Sequence, residues 1–385
     1  MSGGGSERQL LNLARYLDRD RFSLSLYLLY AEGALLPEIP SDISVTSFWG
    51  SHMRPRWNWP GRIHGWQKKD LHRYLLEHRI DVTYDRLFHM AMLTGPAAEG
   101  TSVARVSTIV SPPSRDLPHS DRRLLWIKKR VLRRSYQSAD QVLAVSQSTA
   151  DDAECFYHLL KGHVQVLPSP TDIDRIDRSI PLDPPKWNPH HAHLLCVGRL
   201  SDEKGQEDLI AAFAMAQSRL SQTIPSPQTI ELHLLGEGPN ESLLRELVRQ
   251  HRMEQVVHFH GHVTNPYSMM AACDLVCIPS HYEGFPNVMM EAMVCRVPIV
   301  ATAASASMEQ LMSQTYGLPL SPPRSIEGLA QQIVDRLEHP DRWNSGIEVA
   351  RRHVEKHHSM GAWIEQMSRI LESAVHHRRR ISVSK

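Results

Sequence analysis

The second half of the chain repeats one pattern that few folds accept: a short apolar run, a turn of glycine and polar residues, then an amphipathic stretch. Residues 193–197 run into Gly198 and Arg199, and a helical segment is expected over 207–219. Residues 230–235 stop at Gly236-Glu237-Gly238-Pro239, where Asn240 is placed to cap a helix reaching Gln250. Further short strands are expected at 256–259, 275–279 and 298–301, with helices between the last two. Apolar runs this short, each followed by a helix, suit strands buried on both faces of a parallel sheet. The pattern therefore specifies a doubly wound α/β domain, which binds ligands at the C-terminal ends of its strands.

The first half repeats the pattern less regularly, with candidate strands at 22–29, 43–47, 82–87, 103–110, 141–145 and 164–167. A polar stretch containing Pro181, Pro184, Pro185 and Pro189 has the composition of a linker. The expected division is a Rossmann-like domain over 1–180, a second over 181–355, and a terminal segment over 356–385. Within that segment Trp363, Ile364, Met367, Ile370, Leu371 and Ala374 form a helical stripe. A chain of 385 residues is long enough for two such domains.

Composition removes several classes of function. At 41% hydrophobic and 22% charged residues the chain is not disordered. No run approaches the roughly 18–20 apolar residues of a membrane span, and the first residues lack the basic and apolar regions of a secretory signal. A net charge of +1 argues against nucleic acid as a partner. Five cysteines without a CxxC pair read as buried thiols in a reducing compartment, so a cytoplasmic location is expected.

Two constellations carry chemistry. After the strand at 275–279 come Glu283, Gly284, Phe285, Pro286, Asn287 and, further on, Glu291. Gly284 permits a sharp turn, and Pro286 suits the first position of a helix because its missing N–H costs nothing there. The free N–H groups of that helix start make an anion site, with Glu283 outside it and Glu291 on the face of Asn287. In the loop over 197–205, Arg199 offers a planar fork for phosphate oxygens and Lys204 a mobile charge. Together these groups suit a nucleoside diphosphate.

These residues, with 234–239 and 258–263, resemble glycosyltransferase family 4, whose members are retaining, metal-independent enzymes of the GT-B fold. Glu283 and Glu291 match both ends of the family's E-x7-E motif. Residues 3–14 resemble the glycine-rich loop and first helix of the family's N-terminal domain, and 139–146 another of its landmarks. The resemblance implies two Rossmann-like domains facing each other across a cleft, the first binding the acceptor. It implies that Arg199 and Lys204 hold the donor diphosphate, Glu291 the ribose and Glu283 the donor sugar. The backbone of Gly284, Phe285 and Pro286 would line sugar and phosphate. His262 and Val263 would meet the base, and Gly236, Asn287, Gly3, Gly4 and Gly5 would complete the donor site. His89, just beyond the strand at 82–87, would orient the donor sugar or an acceptor hydroxyl, with Arg86 a lesser candidate. The last helix would return to the N-terminal domain. The implied reaction moves a sugar from a nucleoside-diphosphate sugar to a hydroxyl of a glycan or lipid-linked acceptor, with no metal or other cofactor. A non-catalytic sugar-nucleotide-binding subunit, or an epimerase or phosphorylase on the same fold, is the alternative.

Departures from the family also set expectations. Residues 168–172 replace its Asn-Gly-Val-Asp, and 303–307 replace a Gly-Gly turn by one bearing side chains, which would alter sugar selectivity. Gly3 leaves no room for the strand of ~5–6 residues that precedes the glycine-rich loop in the family. Either the natural start lies upstream or another segment fills the gap in the sheet. Asp172-Ile173-Asp174 imitates a metal motif but lies at the linker. His258, His260 and His262 share one strand face, and with no carboxylate or cysteine at ligand spacing they read as hydrogen-bonded rather than metal-binding. Two basic stretches with tryptophan, 48–73 and 122–134, suit an anionic membrane surface, placing the protein at the inner face of the membrane.

Overall fold

The computed structural model describes residues 5–33, 35–52, 61–120, 124–223 and 229–383. It divides into two units, 1–170 together with 360–385, and 171–359. Residues 171–180 and 356–359 therefore belong to the second unit, not to the segments expected to hold them. The reason is local: the Thr171 N–H donates to His358 O at 2.8 Å, and Thr171 and Ser359 pair as a short bridge.

In the first unit the strands are β1 (Ser25–Leu28), β2 (Ser44–Ser47), β3 (Val82–Asp85), β4 (Ala104–Ile109), β5 (Gln141–Ala144) and β6 (Val164–Val166). In the second they are β7 (Ala192–Val197), β8 (Ile230–Leu235), β9 (Val257–Gly261), β10 (Leu275–Ile278) and β11 (Ile299–Ala301). Every pair is parallel. Parallel neighbours need long crossovers, and here helices supply them.

The first unit carries a four-stranded sheet ordered β3-β4-β5-β6 and, apart from it, the pair β1-β2. Among the described residues no strand joins β1 to β3, so no described segment fills the expected gap. The sheet core has two sides. On one, Ile109, Val142 and Ala144 pack with Leu132 and Tyr136 from the helix Leu125–Gln137. On the other, Ala104, Val106 and Leu143 meet Leu13 and Leu17 from the N-terminal end and Trp363, Met367, Leu371 and Ala374 from the last helix, Met360–Val383. That apolar stripe is thus buried on the N-terminal unit. Arg21 reinforces the arrangement through Glu365 and Glu372 at 3.0 and 2.9 Å.

The second unit has one five-stranded sheet ordered β11-β10-β7-β8-β9. β10 is apolar on both faces and buried, while β7 and β8, almost wholly buried, carry His193, Glu231 and His233 among their apolar residues. The helix Gln206–Thr223 buries Leu209, Ile210, Phe213 and Ala216 at helical spacing, and the helix Ile326–Glu338 buries Leu329, Ala330 and Ile333. Chain order reverses between β7 and β10, so this sheet's switch point lies where those two strands end. Among the described residues no helix is long and apolar enough to cross a membrane.

Two local expectations change. Asn240 makes no cap: its Nδ2 donates to Glu207 at 3.3 Å instead. Pro286 precedes the helix Asn287–Val294 rather than opening it.

Candidate active site

The loops after β7 and β10 meet at the switch point. After β7, Gly198 N–H donates to Leu235 O at 2.9 Å, and the chain turns through Arg199 into a short 3-10 turn, Asp202–Lys204. Gly205 ends that turn with φ +66°, and a Cβ there would stand 2.1 Å from Pro279 O. Only glycine allows the two loops to approach so closely. Gly236 does the same for the loop after β8: at φ +135° its Cβ would meet Gly198 O at 2.0 Å.

That approach brings Lys204 and Glu283 together. Lys204 Nζ donates to Glu283 Oε1 at 2.6 Å, and Ser280 Oγ donates to the same oxygen at 2.7 Å. Burial works against the Lys204 charge, but Glu283, with help from Glu203, outweighs it and holds the ammonium above the ordinary lysine range. The Glu283 N–H donates to Ala304 O at 3.1 Å, so the 303–307 turn fixes the backbone of this carboxylate. Arg199 is exposed at the mouth of its loop, and Gln206 Nε2 holds its carbonyl at 2.9 Å.

Gly284, Phe285 and Pro286 are buried, and the Phe285 ring lies 5.5 Å from His358. Asn287 donates its N–H to Phe285 O at 3.0 Å, which uses one donor of the helix start. Glu291 stands one turn inside that helix, half-buried, and Tyr267 Oη donates to it over 3.4 Å. His262 and Val263 follow β9, with His262 exposed and its N–H 3.4 Å from Glu237 Oε1.

The structure therefore gathers Lys204, Glu283 and the loops of Arg199 and Gly236 at one end of the second sheet. His89 belongs to the first unit, exposed on the first turn of the helix Phe88–Ala98 and stacked on Phe88 with centroids 4.1 Å apart. Arg86 is buried and engaged with Tyr84 Oη at 3.0 Å and Ser169 Oγ at 3.4 Å. Gly5 opens the helix Gly5–Tyr16, while Gly3 and Gly4 lie outside the described residues. Sequence reasoning gave no role to Ser280, three residues before Glu283 on the same loop, or to Tyr267, whose only signal is contact across the fold. The Asp172 imitation of a metal motif resolves as a helix cap, Oδ1 accepting from Arg175 N–H at 3.1 Å.

The basic stretches differ. In 48–73, Trp49 and Trp66 pack on buried Phe48 and on each other, while 53–60 lie outside the described residues. In 122–134, Trp126 is 71% exposed beside exposed Leu124, Ile127, Arg130 and Arg133, with Arg122 and Arg123 outside the described residues.

Comparison with known proteins adds the following. The family model "Glycosyl transferases group 1" matches residues 183–353, and "Glycosyltransferase Family 4" matches 3–175. A glycogen synthase from Mycobacterium tuberculosis is 32% identical over 165 residues, 42% of this chain and 38% of that one. An N-acetylgalactosamine-N,N'-diacetylbacillosaminyl-diphospho-undecaprenol 4-alpha-N-acetylgalactosaminyltransferase from Campylobacter jejuni is 26% identical over 193 residues, 50% of this chain and 49% of that one. The matches to these two relatives span less than half the length of each. A crystal structure of HepE from Anabaena with UDP and glucose superposes with a TM-score of 0.76 at 22% identity, covering 96% of each chain. That likeness shows the fold, two Rossmann-like domains of the GT-B type.

Proposed function

Because the chain belongs to glycosyltransferase family 4, we propose that it moves a sugar from a nucleoside-diphosphate sugar to a hydroxyl of a glycan or lipid-linked acceptor, with retention of anomeric configuration. One observation carries this reading: Lys204 and Glu283 stand 2.6 Å apart on loops that flank the sheet's switch point, with Arg199 on the same loop as Lys204. In a parallel sheet that is where a nucleotide binds.

Within this reading Arg199 and Lys204 neutralise the departing diphosphate, whose charge grows as the glycosidic bond breaks. Donor phosphate competes with Glu283 for Lys204 and frees the carboxylate for the donor sugar. Glu291 takes the ribose hydroxyls, the backbone of Gly284, Phe285 and Pro286 lines sugar and phosphate, and His262 with Val263 meets the base. The leaving phosphate oxygen accepts the acceptor's proton, so neither a strong protein base nor a metal is needed. The first unit is proposed to bind the acceptor, with His89 as a candidate contact. HepE with UDP and glucose supports a sugar nucleotide as donor class, and the undecaprenol-linked substrate in the Campylobacter protein's name supports a lipid-linked acceptor.

The helix Leu125–Gln137 is proposed to rest on an anionic membrane surface through Trp126 and its arginines, at the cytoplasmic face. The deciding experiment screens nucleotide sugars by thermal shift and follows each stabilising donor for transfer. Donor at a hundred times its dissociation constant stabilises by about 2.7 kcal/mol. Donor binding without hydrolysis or transfer to any acceptor overturns the reading in favour of a sensor subunit.

A further inference from the structure

At the other end of the same sheet, histidines gather around one carboxylate. Parallel register sets His193 of β7 beside Glu231 of β8, and His233 of β8 beside His258 of β9. Side chains two residues apart share a strand face, so Glu231, His233, His258 and His260 project together. Gly198 is five residue steps beyond His193 along β7, roughly 16 Å of strand, so this cluster is remote from the Lys204 loop. The carboxylate that the β9 sequence lacked at ligand spacing comes from the neighbouring strand.

The atoms converge. His193 Nδ1 and His233 Nε2 are 3.1 Å apart, and each lies 3.7 Å from Glu231 Oε2. These three residues form a group able to hold a metal ion. A tetrahedral zinc ion with bonds of about 2.0–2.2 Å spaces its ligand atoms roughly 3.3–3.6 Å apart, and the three distances bracket that spacing. The outer partners suit it as well. His193 Nε2 faces Asn188 O at 2.9 Å, so it carries the proton and leaves Nδ1 with its lone pair. His233 Nδ1 faces His260 Nε2 at 3.0 Å, which lets it donate there and turn a lone pair on Nε2 inward. His191 Nδ1 holds the other oxygen of Glu231 at 2.6 Å.

We propose that His193 Nδ1, His233 Nε2 and Glu231 Oε2 hold a divalent transition-metal ion, zinc in the first place, that ties β7 to β8. Imidazole and carboxylate ligands suit zinc, and ligating histidines characteristically donate their other N–H to an outer partner. His258 Nε2, 3.2 Å from Glu231 Oε2 and without a hydrogen-bond partner of its own, is the candidate fourth ligand. Trp187 stacks on His193 and His233 with centroids 4.6 and 4.3 Å away and shields the pair. This site is structural and separate from sugar transfer.

The test titrates chelator-stripped protein with Zn2+ against a chromophoric chelator, and records the visible spectrum with Co2+ in its place. One equivalent per chain and a four-coordinate Co2+ spectrum are expected. Glu231→Gln should weaken Zn2+ by more than about 100-fold, and His191→Ala by the roughly 10–100-fold that loss of an outer partner costs. His376→Ala with His377→Ala, in the terminal helix, should change nothing. His258→Ala, at a partly exposed ring, keeps the test readable if Glu231→Gln melts early; it should remove the four-coordinate spectrum. Absence of a stoichiometric site in the unaltered protein, affinity unchanged in Glu231→Gln, or affinity lost with the terminal histidines would each overturn the proposal.

Discussion

Lys204 and Glu283, 79 residues apart in the chain, form a 2.6 Å ion pair at the switch point of the second sheet. Neither is fully buried, and Ser280 donates a second hydrogen bond to the same carboxylate oxygen. The pair couples the loop that follows β7 to the loop that follows β10, so its members should act as a unit.

Lys204→Ala is expected to lower transfer by about 10²–10³-fold or more, the cost of removing one preorganised donor from a developing negative charge. Lys204→Arg should restore little, because a planar fork does not replace a point charge in a fitted pocket. Adding Glu283→Gln to Lys204→Ala should cost less than the two single changes multiplied together. Steady-state transfer rates for the four proteins check this, and near-unaltered turnover in Lys204→Ala would remove the residue from the diphosphate site.

Met367 is fully buried among Leu13, Leu17, Val106 and Leu143, so Met367→Ala should cost about 2–5 kcal/mol of stability. Out of a domain total of about 5–15 kcal/mol, that is a large loss. Urea denaturation measures it. A loss below 1 kcal/mol would mean that the last helix does not bury its stripe on the N-terminal unit.

His358, packed beside Phe285, is held down to about 4 by burial and by the neighbouring charges of His353 and His357. Between its ordinary 6.5 and about 4 the unfolded chain therefore binds more protons than the folded one. Stability from this residue is full above pH 6.5 and falls as the pH drops to about 4. The slope for one proton is at most about 1.4 kcal/mol per pH unit, and partial exposure of the ring reduces it. Urea midpoints from pH 8 to pH 4 should fall less steeply in His358→Gln. Parallel curves would assign the acid sensitivity elsewhere.

Gly236→Ala should destabilise the second unit and weaken donor binding together, because the new methyl group would occupy the space of Gly198 O, 2.0 Å away. Calorimetry of donor binding, read beside the melting temperature, checks both effects. A variant with unaltered melting and binding would show that the loops after β7 and β8 separate freely.

Trp126→Ala should reduce co-sedimentation with vesicles of anionic lipid and leave transfer to a soluble acceptor unchanged. Added salt should weaken the binding of the unaltered protein, as screening requires. Equal binding to neutral vesicles would defeat the electrostatic part of this reading.

The sequence by itself determined the two α/β units and their strands. All eleven strands among the described residues lie within a residue or a few of the expected spans, because an apolar run ended by glycine or polar residues leaves a parallel strand few alternatives. The sequence also marks Glu283, Glu291, Arg199 and Lys204 as candidates, since their spacing along loops and a helix start is itself the signal. Only the tertiary structure decided which side chains from different strands meet. Tyr267 reaches Glu291, 24 residues further along the chain, through a position that no local pattern marks. The sharpest case is Glu231, 27 residues before His258 in the chain and 3.2 Å from it in space. Strand order and register set that distance, and both are fixed by burial of whole faces rather than by any neighbouring residues in the sequence.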